Sequence, residues 1–414
     1  SITAQNTLEV TKIHDVPVDV IREQIRVVVR DIGVDAVKTG MLHTTEIIEA
    51  VSEELKRINA PIVVDPVMIA KSGARLLRED AVKALIDRLI PIAFALTPNA
   101  REAEALSGIK IRDLDSQKRA AERISEHGVK AVIVKGGHLE GSVVRDVLYY
   151  DGEFRVYESE RIESKNTHGT GCTFASAIAA ELAKGRGIFE AVQNAKNFVF
   201  NAIKYGLPIG KGHGPVNPTG KLVRDSGKLS ALEVLRKAIR KVEESELIPK
   251  AIPECQSNLV MASEFAEDLE DVAGIPGRIV RVFDRAKPAG CPWFAASSHV
   301  ARAVLTAMKH DRSIRAAMNI RFSEELVKAA EELGFSVSFY DRREEPEEIK
   351  RIEGGTVPWG TETAIKRVGR VPDVLYHRGD WGKEPMIIVF GRDAVEVVEK
   401  AEKIIDKMLS RRKK

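Results

Sequence analysis

The chain has 414 residues, with 64 Lys and Arg against 61 Asp and Glu, so its formal net charge is only +3. This length allows more than one domain with a hydrophobic core, and the balanced charge gives no reason to expect nucleic acid as a partner. The three cysteines lack the spacing of a disulfide framework or a zinc site, and no apolar run is long enough to cross a membrane. We therefore expect a cytoplasmic protein.

Short apolar runs rich in β-branched residues alternate with helical patterns in the first half of the chain. The runs predict strands over 34–38, 61–64, 92–96 and 130–134. The patterns between them predict helices that include 45–59 and 80–89. Such alternation indicates a mostly parallel sheet with helices on both faces, in which ligands bind beyond the carboxyl ends of the strands.

Polar residues stand directly after these predicted strands. In chain order they include Lys38 and Met41, then Asp65, then Asn99 and Glu102, and then Lys135 and His138. Asp65 is suited to holding Mg²⁺ through water, and Asn99 with Glu102 to holding a nucleotide-bound ion. The ordinary alternatives are a turn for the aspartate and a helix cap for the asparagine. Lys135 is suited to contacting a polyphosphate, or is a common lysine at a strand end.

A glycine-containing segment opens a predicted helix later in the first half. Gly169, Thr170, Gly171 and Cys172 stand just before an apolar helix face that starts at Phe174. Such a helix start presents unpaired N–H groups and the positive end of the helix dipole, which bind phosphate or a developing negative charge. The alternative is a turn of small residues that allows tight packing. We expect a lowered pKa for the Cys172 thiol here, which favours a general base over a residue that only lines the pocket.

Together these residues describe ATP, Mg²⁺ and a phosphoryl acceptor that meet at one edge of the sheet. Each feature taken alone has an ordinary structural explanation. Phosphoryl transfer, however, depends on positioning and charge neutralisation, and it requires this combination of groups. The pattern therefore predicts a phosphotransferase in the first half of the chain.

The sequence pattern changes in the second half. Residues 217–230 are polar and contain Pro, Gly and Ser, so we place a linker at 219–229 between the domains 1–218 and 230–414. Helices are predicted over 232–246, 298–309, 323–333 and 393–410, and strands over 278–283, 315–322, 335–340 and 385–391. More of these strands alternate in polarity, so we expect a second α/β domain with a mixed sheet.

Candidate anion-binding residues of the second half lie near a helix start and in a glycine loop. Arg278 begins a predicted strand, His299 lies in the first turn of a helix, and Lys383 lies in the polar loop 379–385. Arginine binds a diphosphate with paired hydrogen bonds, and histidine can donate a proton or hydrogen bond to it as it leaves. The ordinary alternatives are a surface arginine and a histidine beside a helix cap.

A pair of polar residues shares one face of the predicted strand 315–322. Asn319 and Arg321 alternate with Met318, Ile320 and Phe322, which belong to the opposite face. This alternation brings two polar side chains together where a ligand is able to lie. The alternative is a sheet face that water covers.

The first half also carries a series of motifs with a known counterpart. They are TAQNT (3–7), KTGML (38–42), VVDPVM (63–68), LTPNAREAEAL (96–106), VKGGH (134–138), HGTGCTFASAIAAELAKG (168–185) and GHGPVNP (212–218). In these motifs, residues 1–218 resemble the hydroxymethylpyrimidine kinase and hydroxymethylpyrimidine-phosphate kinase family of thiamine biosynthesis. The resemblance implies a ribokinase-like fold that phosphorylates the pyrimidine alcohol and then its monophosphate with MgATP. It also implies that Gln5 and Met41 contact the pyrimidine, that 169–172 form an anion hole and that Lys135 serves the phosphates.

The first half lacks one segment of this family, and one of its residues limits the class of substrate that we expect. Family members begin with a strand and a GSD-containing glycine-rich segment, which 1–218 lacks, so we expect an N-terminally incomplete kinase domain. Relatives that act on sugars usually carry Asp where this chain has Cys172, and a cysteine favours the pyrimidine or pyridoxal branch. A pyridoxal-type kinase is therefore the alternative for the first domain.

Four motifs of the second half resemble the archaeal-type thiamine-phosphate synthase domain. They are PGRIVRVFD (276–284), FAASSHVARAVL (294–305), RAAMNIRF (315–322) and GDWGKEPMIIV (379–389). The resemblance implies coupling of hydroxymethylpyrimidine diphosphate to thiazole phosphate with release of pyrophosphate, and Arg278 with His299 as the catalytic pair. Similar domains joined to DNA-binding regulators favour a thiamine-phosphate-sensing module as the alternative. By analogy with this kinase fold we expect a homodimer or a higher homo-oligomer.

Overall fold

The computed structural model describes residues 1–69, 76–137 and 139–412, so His138 lies outside the described residues. The chain divides into two compact units, Ser1–Lys221 and Leu222–Lys414. Across the ranges that the structure describes, no helix combines the length and the apolar character needed to span a membrane.

The first unit is an α/β layer structure. Its strands are β1 Ile2–Gln5, β2 Val10–His14, β3 Val37–Thr39, β4 Ile62–Val64, β5 Ala95–Leu96, β6 Ala131–Val134, β7 Val143–Tyr150 and β8 Glu153–Glu160. Its helices are α1 Val18–Asp31, α2 Thr45–Leu55, α3 Ala81–Ala84, α4 Ala100–Ser107, α5 Leu114–Ser125, α6 Thr170–Ala183 and α7 Ile188–Lys204. A π-helical segment, Leu85–Leu89, and a 3-10 turn, Ile90–Ile92, continue α3.

A six-stranded sheet in the order β3-β4-β5-β6-β7-β8 forms the centre of this unit, and β1 and β2 pair as a separate hairpin. Strands β3 to β6 are parallel, whereas β7 and β8 are antiparallel additions at one edge. Successive residues of β4 point to opposite faces: Ile62 and Val64 join the core under α2, α4 and α5, and Val63 joins the core under α6 and α7. The predicted mostly parallel sheet with helices on both faces is confirmed.

The second unit contains the remaining elements, although its first helix starts at the end of the first unit. Its helices are α8 Gly220–Glu244, α9 His299–His310, α10 Glu324–Glu332, α11 Glu347–Lys350, α12 Thr356–Val368 and α13 Ala394–Arg412. Its strands are β9 Leu259–Ala262, β10 Val272–Gly274, β11 Ile279–Val282, β12 Arg285–Pro288, β13 Trp293–Phe294, β14 Ala316–Arg321, β15 Val337–Phe339, β16 Val374–His377 and β17 Met386–Gly391.

The main sheet of the second unit has seven strands in the order β13-β10-β9-β14-β17-β16-β15, with β11 and β12 as a separate hairpin. Only β15 and β16 pair in parallel, so the predicted mixed sheet is confirmed. Met318 and Ile320 of β14 enter the core with α8, α10 and α13, while Ala317 enters the core with α9 and α12. This register puts Asn319 on the side of α9 and α12.

The irregular linker expected at 219–229 is wrong, because α8 is helical from Gly220. The polar start of this helix is stabilised by charges that are distant in sequence. Arg224 pairs with the buried Asp271 at 2.7 Å, and Lys228 pairs with the same carboxylate at 3.1 Å. These ion pairs join residues that are distant in sequence. The polar composition of 219–229 therefore could not predict them, nor the helix that they stabilise.

Candidate functional site

A buried ion pair joins two strand ends of the first unit. Asp65 follows β4, Lys135 follows β6, and Asp65 Oδ1 lies 3.1 Å from Lys135 Nζ. Burial lowers the pKa of Lys135, but the negative charges of Asp65 and Glu102 outweigh burial, so the pKa is raised. The Lys135 ammonium therefore remains charged at the carboxyl edge of the parallel strands.

The residues that follow β5 form the start of helix α4. Asn99 is its N-cap: Asn99 Oδ1 accepts from the Glu102 N–H at 3.0 Å, and Glu102 Oε2 accepts from the Asn99 N–H at 2.8 Å. Glu102 Oε1 also accepts from the Met68 N–H at 3.3 Å. Burial raises the pKa of Glu102, and the charge of Lys135 opposes this effect. The helix-cap interpretation of Asn99 is thus realised, and its side-chain oxygen is already in use.

These side chains suit a hydrated cation better than a directly coordinated one. Among the described residues there is no group of three His, Cys, Asp or Glu side chains placed to hold a metal ion directly. Magnesium usually keeps several waters and is held by one or two carboxylates together with substrate phosphates. Asp65 and Glu102, which interact electrostatically with each other and with Lys135, fit that arrangement.

The start of helix α6 lies against the Asp65–Lys135 pair. Gly169 is the N-cap and has φ +86°, a conformation that favours glycine. A Cβ atom added at Gly171 would lie 3.2 Å from Lys135 Nζ and 3.5 Å from Asp65 Oδ2. The start of α6 and the strand-end charges therefore occupy one place, which we call the first-unit site.

The predicted lowering of the Cys172 pKa is wrong. Cys172 is an exposed residue, but the atoms around its thiol partly desolvate it; this desolvation is the largest effect and raises its pKa, and the charge of Asp65 and a hydrogen bond to Asp65 add to the increase. The positive charges of Lys38 and Lys135 act in the opposite direction but do not outweigh these effects. The Cys172 thiol is therefore neutral at neutral pH and bonds to a carboxylate, so the helix position does not activate it, and its role as a general base stays a prediction.

Lys38 is a further cation of the first-unit site, which the sequence analysis placed at a strand end without giving it a role; its charge acts on Cys172. It lies in β3, and its Nζ is 2.9 Å from the position that a Cβ atom at Gly40 would occupy. Its place at the end of a parallel strand was the available signal. Met41 is half-buried two residues after β3, whereas Gln5 is exposed at the end of β1, outside the six-stranded sheet.

Three motifs that are distant in sequence are bonded together beside α6. The His168 N–H donates to the Gly214 carbonyl at 2.9 Å, and the Val216 N–H donates to the His168 carbonyl at 3.0 Å. The His213 N–H in turn donates to the Thr7 carbonyl at 3.0 Å. The segment 212–216 thus fixes the loop that leads into the anion-binding helix start and ties it to the β1–β2 hairpin. Thr170 adds a hydrogen bond from Oγ1 to the Thr167 carbonyl at 2.7 Å.

The positive charges of four side chains act on His299 at the start of α9 in the second unit. Burial lowers the pKa of the imidazole most, and the positive charges that lower it further belong to Arg342, Arg278, Lys383 and Arg302. An imidazole that stays neutral among four cationic side chains marks a place that favours anions. We call this group the second-unit site.

Two of these arginines, Arg302 and Arg342, were not selected from the sequence. Arg302 lies three residues after His299, on the same side of α9, and this spacing was an available signal. Arg342 follows β15, and its side chain is only 11% exposed. Within the described residues its Nε has no hydrogen-bond partner, and its Nη2 lies 4.0 Å from Oε2 of the buried Glu345. The Arg342 guanidinium therefore has one distant carboxylate partner and one N–H donor that is not used within the described residues.

The polar pair on β14 has different surroundings from those expected. Asn319 is 4% exposed, so the alternative of a water-covered face is wrong at this position. Its Oδ1 accepts from the Asn258 N–H at 2.6 Å, and its Nδ2 donates to the Gln256 carbonyl at 3.0 Å. Arg321 is half-buried at the end of β14, and in the part of the chain that the structure covers its Nε has no hydrogen-bond partner. Asn319 therefore supports the neighbouring backbone with its amide.

A second histidine lies at the end of β16 and interacts electrostatically with His299. His377 is buried, and burial, with the charges of Arg342 and His299, lowers its pKa to about 4. Its Nδ1 accepts from the Gly379 N–H at 3.1 Å, which fixes the start of the loop that carries Lys383. The ring also packs against Tyr340 at 5.0 Å between centroids. His377 thus anchors this loop as a neutral hydrogen-bond acceptor.

Two family models match successive parts of the chain. Residues 1–217 match the phosphomethylpyrimidine kinase model, and residues 234–403 match the model of thiamine-phosphate synthase ThiN. The bifunctional thiamine biosynthesis protein ThiDN of Methanocaldococcus jannaschii is 32% identical over 405 residues, which cover 98% of this chain and 89% of that protein.

Relatives that share only the first unit are more similar in sequence. The hydroxymethylpyrimidine/phosphomethylpyrimidine kinase of Bacillus subtilis is 46% identical over 219 residues, covering 52% of this chain and 81% of that enzyme. The bifunctional protein ThiED of Geobacter sulfurreducens is 48% identical over 218 residues, and the match spans 44% of its length.

Proposed function

The chain belongs to the family of bifunctional thiamine biosynthesis proteins that join a phosphomethylpyrimidine kinase domain to a ThiN-type thiamine-phosphate synthase domain, and we propose that it makes thiamine phosphate with two active sites. The first-unit site phosphorylates hydroxymethylpyrimidine and then its monophosphate with ATP. The second-unit site couples the diphosphate to thiazole phosphate and releases pyrophosphate. The grouping of Arg278, Arg302, Arg342 and Lys383 around one neutral histidine carries the second assignment.

The kinase proposal is supported by the position of Gly171 against the ion pair of Asp65 and Lys135. The N–H groups at the start of α6 bind the charge that develops on the transferred phosphoryl group, and the Lys135 ammonium binds the phosphates. Asp65 and Glu102 are the residues that would hold Mg²⁺ through water, and the ion would neutralise phosphate charge when bound. Because phosphoryl transfer depends mainly on positioning and charge, a neutral Cys172 is compatible with it.

The synthase proposal rests on the chemistry of a departing diphosphate. The bond between the pyrimidine methylene carbon and the diphosphate oxygen breaks, and the thiazole nitrogen then forms a bond to the resulting pyrimidine cation. Arg278, Arg342 and Lys383 stabilise the negative charge that leaves with the diphosphate. Neutral His299 donates a hydrogen bond to the same group. We assign Asn319 to support of this site, and Arg321 stays a candidate for substrate contact.

The test uses the full chain with ATP, Mg²⁺, hydroxymethylpyrimidine and thiazole phosphate, and it follows the products by mass spectrometry. We expect thiamine phosphate and pyrophosphate, and we expect the hydroxymethylpyrimidine diphosphate to accumulate when thiazole phosphate is left out. Tight binding of thiamine phosphate without turnover from supplied diphosphate would contradict the synthase and favour the sensing module. Faster phosphorylation of pyridoxal than of hydroxymethylpyrimidine would favour the pyridoxal-type kinase.

Two properties complete the proposal. We infer a homodimer or higher homo-oligomer, which sedimentation of the purified chain tests, and a monomer at working concentration would contradict it. A cytoplasmic location agrees with cysteines that are free in the structure and with a kinase reaction that consumes ATP. Contacts of Gln5 and Met41 with the pyrimidine belong to the same proposal, and a change in the KM for hydroxymethylpyrimidine in Gln5→Ala or Met41→Ala tests them.

A further inference from the structure

Arg278 lies just before β11, and its side chain contacts the backbone of a segment that is distant in sequence. Its backbone has φ +71°, a conformation that favours glycine, and its side chain is exposed. The guanidinium Nη1 donates a hydrogen bond to the Cys255 carbonyl. A long exposed side chain has many rotamers, so this one contact largely decides where the charge of Arg278 lies.

The backbone N–H of the same residue, Cys255, is held by Glu384. Glu384 Oε2 accepts from the Cys255 N–H at 2.9 Å, and Oε1 accepts from the Glu254 N–H at 2.8 Å. Burial raises the pKa of Glu384, but hydrogen bonds from the Cys255 thiol and from these N–H groups outweigh burial and lower it. The Glu384 carboxylate thus accepts hydrogen bonds from two successive backbone N–H groups of the segment that contacts Arg278.

The segment 254–258, which we call the brace, has further contacts that do not depend on Glu384. Asn319 bonds to Gln256 and Asn258, and the Ser257 and Ile279 backbones exchange hydrogen bonds at 3.2 and 2.8 Å. These contacts fix the second half of the brace. Glu384 alone among the described side chains is recorded as bonding to the N–H groups of residues 254 and 255. Loss of its grip would therefore loosen Cys255 while the brace stays attached to the sheet.

We propose that Glu384 is a positioning residue for Arg278, acting through the backbone of Cys255. This inference rests on the proposed synthase function of the second unit. Glu384 follows Lys383 directly, so its anchorage also fixes the loop that brings this lysine to His299. The carboxylate itself points at backbone N–H groups and does not touch the diphosphate. Glu384 instead keeps the cationic groups of Arg278 and Lys383 in position to contact the departing diphosphate.

The experiment is a double-mutant cycle in the full chain with Glu384→Gln and Arg278→Ala. A glutamine presents an amide N–H₂ to one of the two backbone N–H groups, so it cannot keep both hydrogen bonds. We expect Glu384→Gln to lower the kcat for thiamine phosphate formation by about tenfold or more, with less than about a twofold change in the KM for thiazole phosphate. In the Arg278→Ala background the same substitution should cost almost nothing more.

Three controls separate the possible outcomes. Glu324→Gln removes an exposed carboxylate that pairs with Arg378 at 2.8 Å, and it should leave coupling unchanged. Kinase activity of the same samples reports whether the chain is intact. Calorimetry with inorganic pyrophosphate should show weaker binding for Glu384→Gln only when Arg278 is present.

The outcomes distinguish this inference from the proposed function. Additive losses in the cycle, or an unchanged kcat for Glu384→Gln, would overturn the positioning role while leaving the synthase assignment in place. Pyrophosphate binding with the expected coupling between Glu384 and Arg278, but without any turnover, would support the brace and overturn the synthase. An unaltered chain that binds no pyrophosphate would overturn both.

Discussion

The two sites balance their charges in different ways. In the first-unit site the Lys135 ammonium is matched by Asp65 at 3.1 Å and is close to Glu102. In the second-unit site Arg342, with a buried Nε that has no hydrogen-bond partner in the described part of the chain, belongs to a group of cations around a neutral His299. A balanced site suits a substrate that arrives with its own metal ion, whereas a site with surplus positive charge suits the release of a naked diphosphate.

The largest effect that tests this comparison is expected from Lys135→Met. The change removes the cation to which we assign the phosphates and leaves the Asp65 carboxylate buried without its cationic partner, which costs about 3–5 kcal/mol in comparable pairs. Phosphorylation of hydroxymethylpyrimidine should fall by more than about a hundredfold. Coupling from supplied hydroxymethylpyrimidine diphosphate should not change, and product assays on the same sample measure both.

The matched control for this variant is Lys110→Met, which removes an exposed lysine paired with Glu104 at 3.1 Å. Its kinase rate should equal that of the unaltered chain. Equal losses of kinase and coupling activity in Lys135→Met would break the two-site comparison, because the charge of Lys135 would then serve both reactions.

The next largest effect is expected from Arg342→Gln, which tests the positive charge of the second-unit site. A charge-assisted hydrogen bond contributes about 1.5–3 kcal/mol, so pyrophosphate affinity should fall by about tenfold to a hundredfold. Arg343→Gln is the neighbouring control, since that side chain is 82% exposed and pairs with Asp341. Calorimetry with pyrophosphate compares the two variants. A similar loss in both would show that general charge, and not the buried guanidinium, binds the anion.

A smaller effect is expected from Cys172→Ser. Because the pKa of the Cys172 thiol is raised above its usual 9.0, the thiol is neutral at neutral pH, and a hydroxyl can replace it as a donor to Asp65. We expect less than about a tenfold loss of kcat in phosphorylation, far below the loss that removal of a true base gives. A loss as large as that expected for Lys135→Met would contradict the neutral thiol and would indicate that a Cys172 thiolate acts as the general base.

The smallest effect is expected for the uptake of a proton by His299 when an anion binds. Its pKa is lowered below 6.5, so the imidazole is neutral in the free protein at neutral pH, and bound pyrophosphate favours the charged form. Binding should therefore take up protons and strengthen as the pH falls from neutrality toward 6. The free imidazole also lowers folding stability as the pH falls below 6.5, since only the unfolded chain binds the proton freely. Calorimetry in buffers of different ionisation enthalpy measures the uptake, and its absence in unaltered protein would contradict this linkage.

Sequence patterns alone located most of the first-unit site. Asp65, Asn99 and Lys135 follow short buried strands, and parallel strand ends must share an edge, so their neighbourhood follows from the alternation of strand and helix. The pKa of Cys172 did not follow, because it depends mainly on desolvation of the thiol in the folded unit and then on the charge of, and a hydrogen bond to, Asp65, which is more than a hundred positions away. Helix position predicts the field of the helix dipole but not the carboxylate that faces the thiol.

The second-unit site was less visible in the sequence. Arg278 and His299 were selected from the sequence because of their residue types and the predicted helix start. Arg342 follows β15, and its position depends on the pairing of β15 with β16, which the sequence pattern did not predict. Glu384 was part of a loop suited to phosphate, yet it bonds to backbone N–H groups instead. Antiparallel sheets have no single carboxyl edge, so their strand ends do not predict a common site.

The surplus of cations around His299 has a practical consequence for anyone who handles the purified protein. Sulfate or inorganic phosphate in a storage buffer will occupy the place of the diphosphate and slow the coupling assay as a competitor. Ligands that bind only the folded chain raise its melting temperature by mass action, so the same salts should make the second unit look more heat-resistant than it is in a chloride buffer. Activity and melting measured in phosphate would then move in opposite directions.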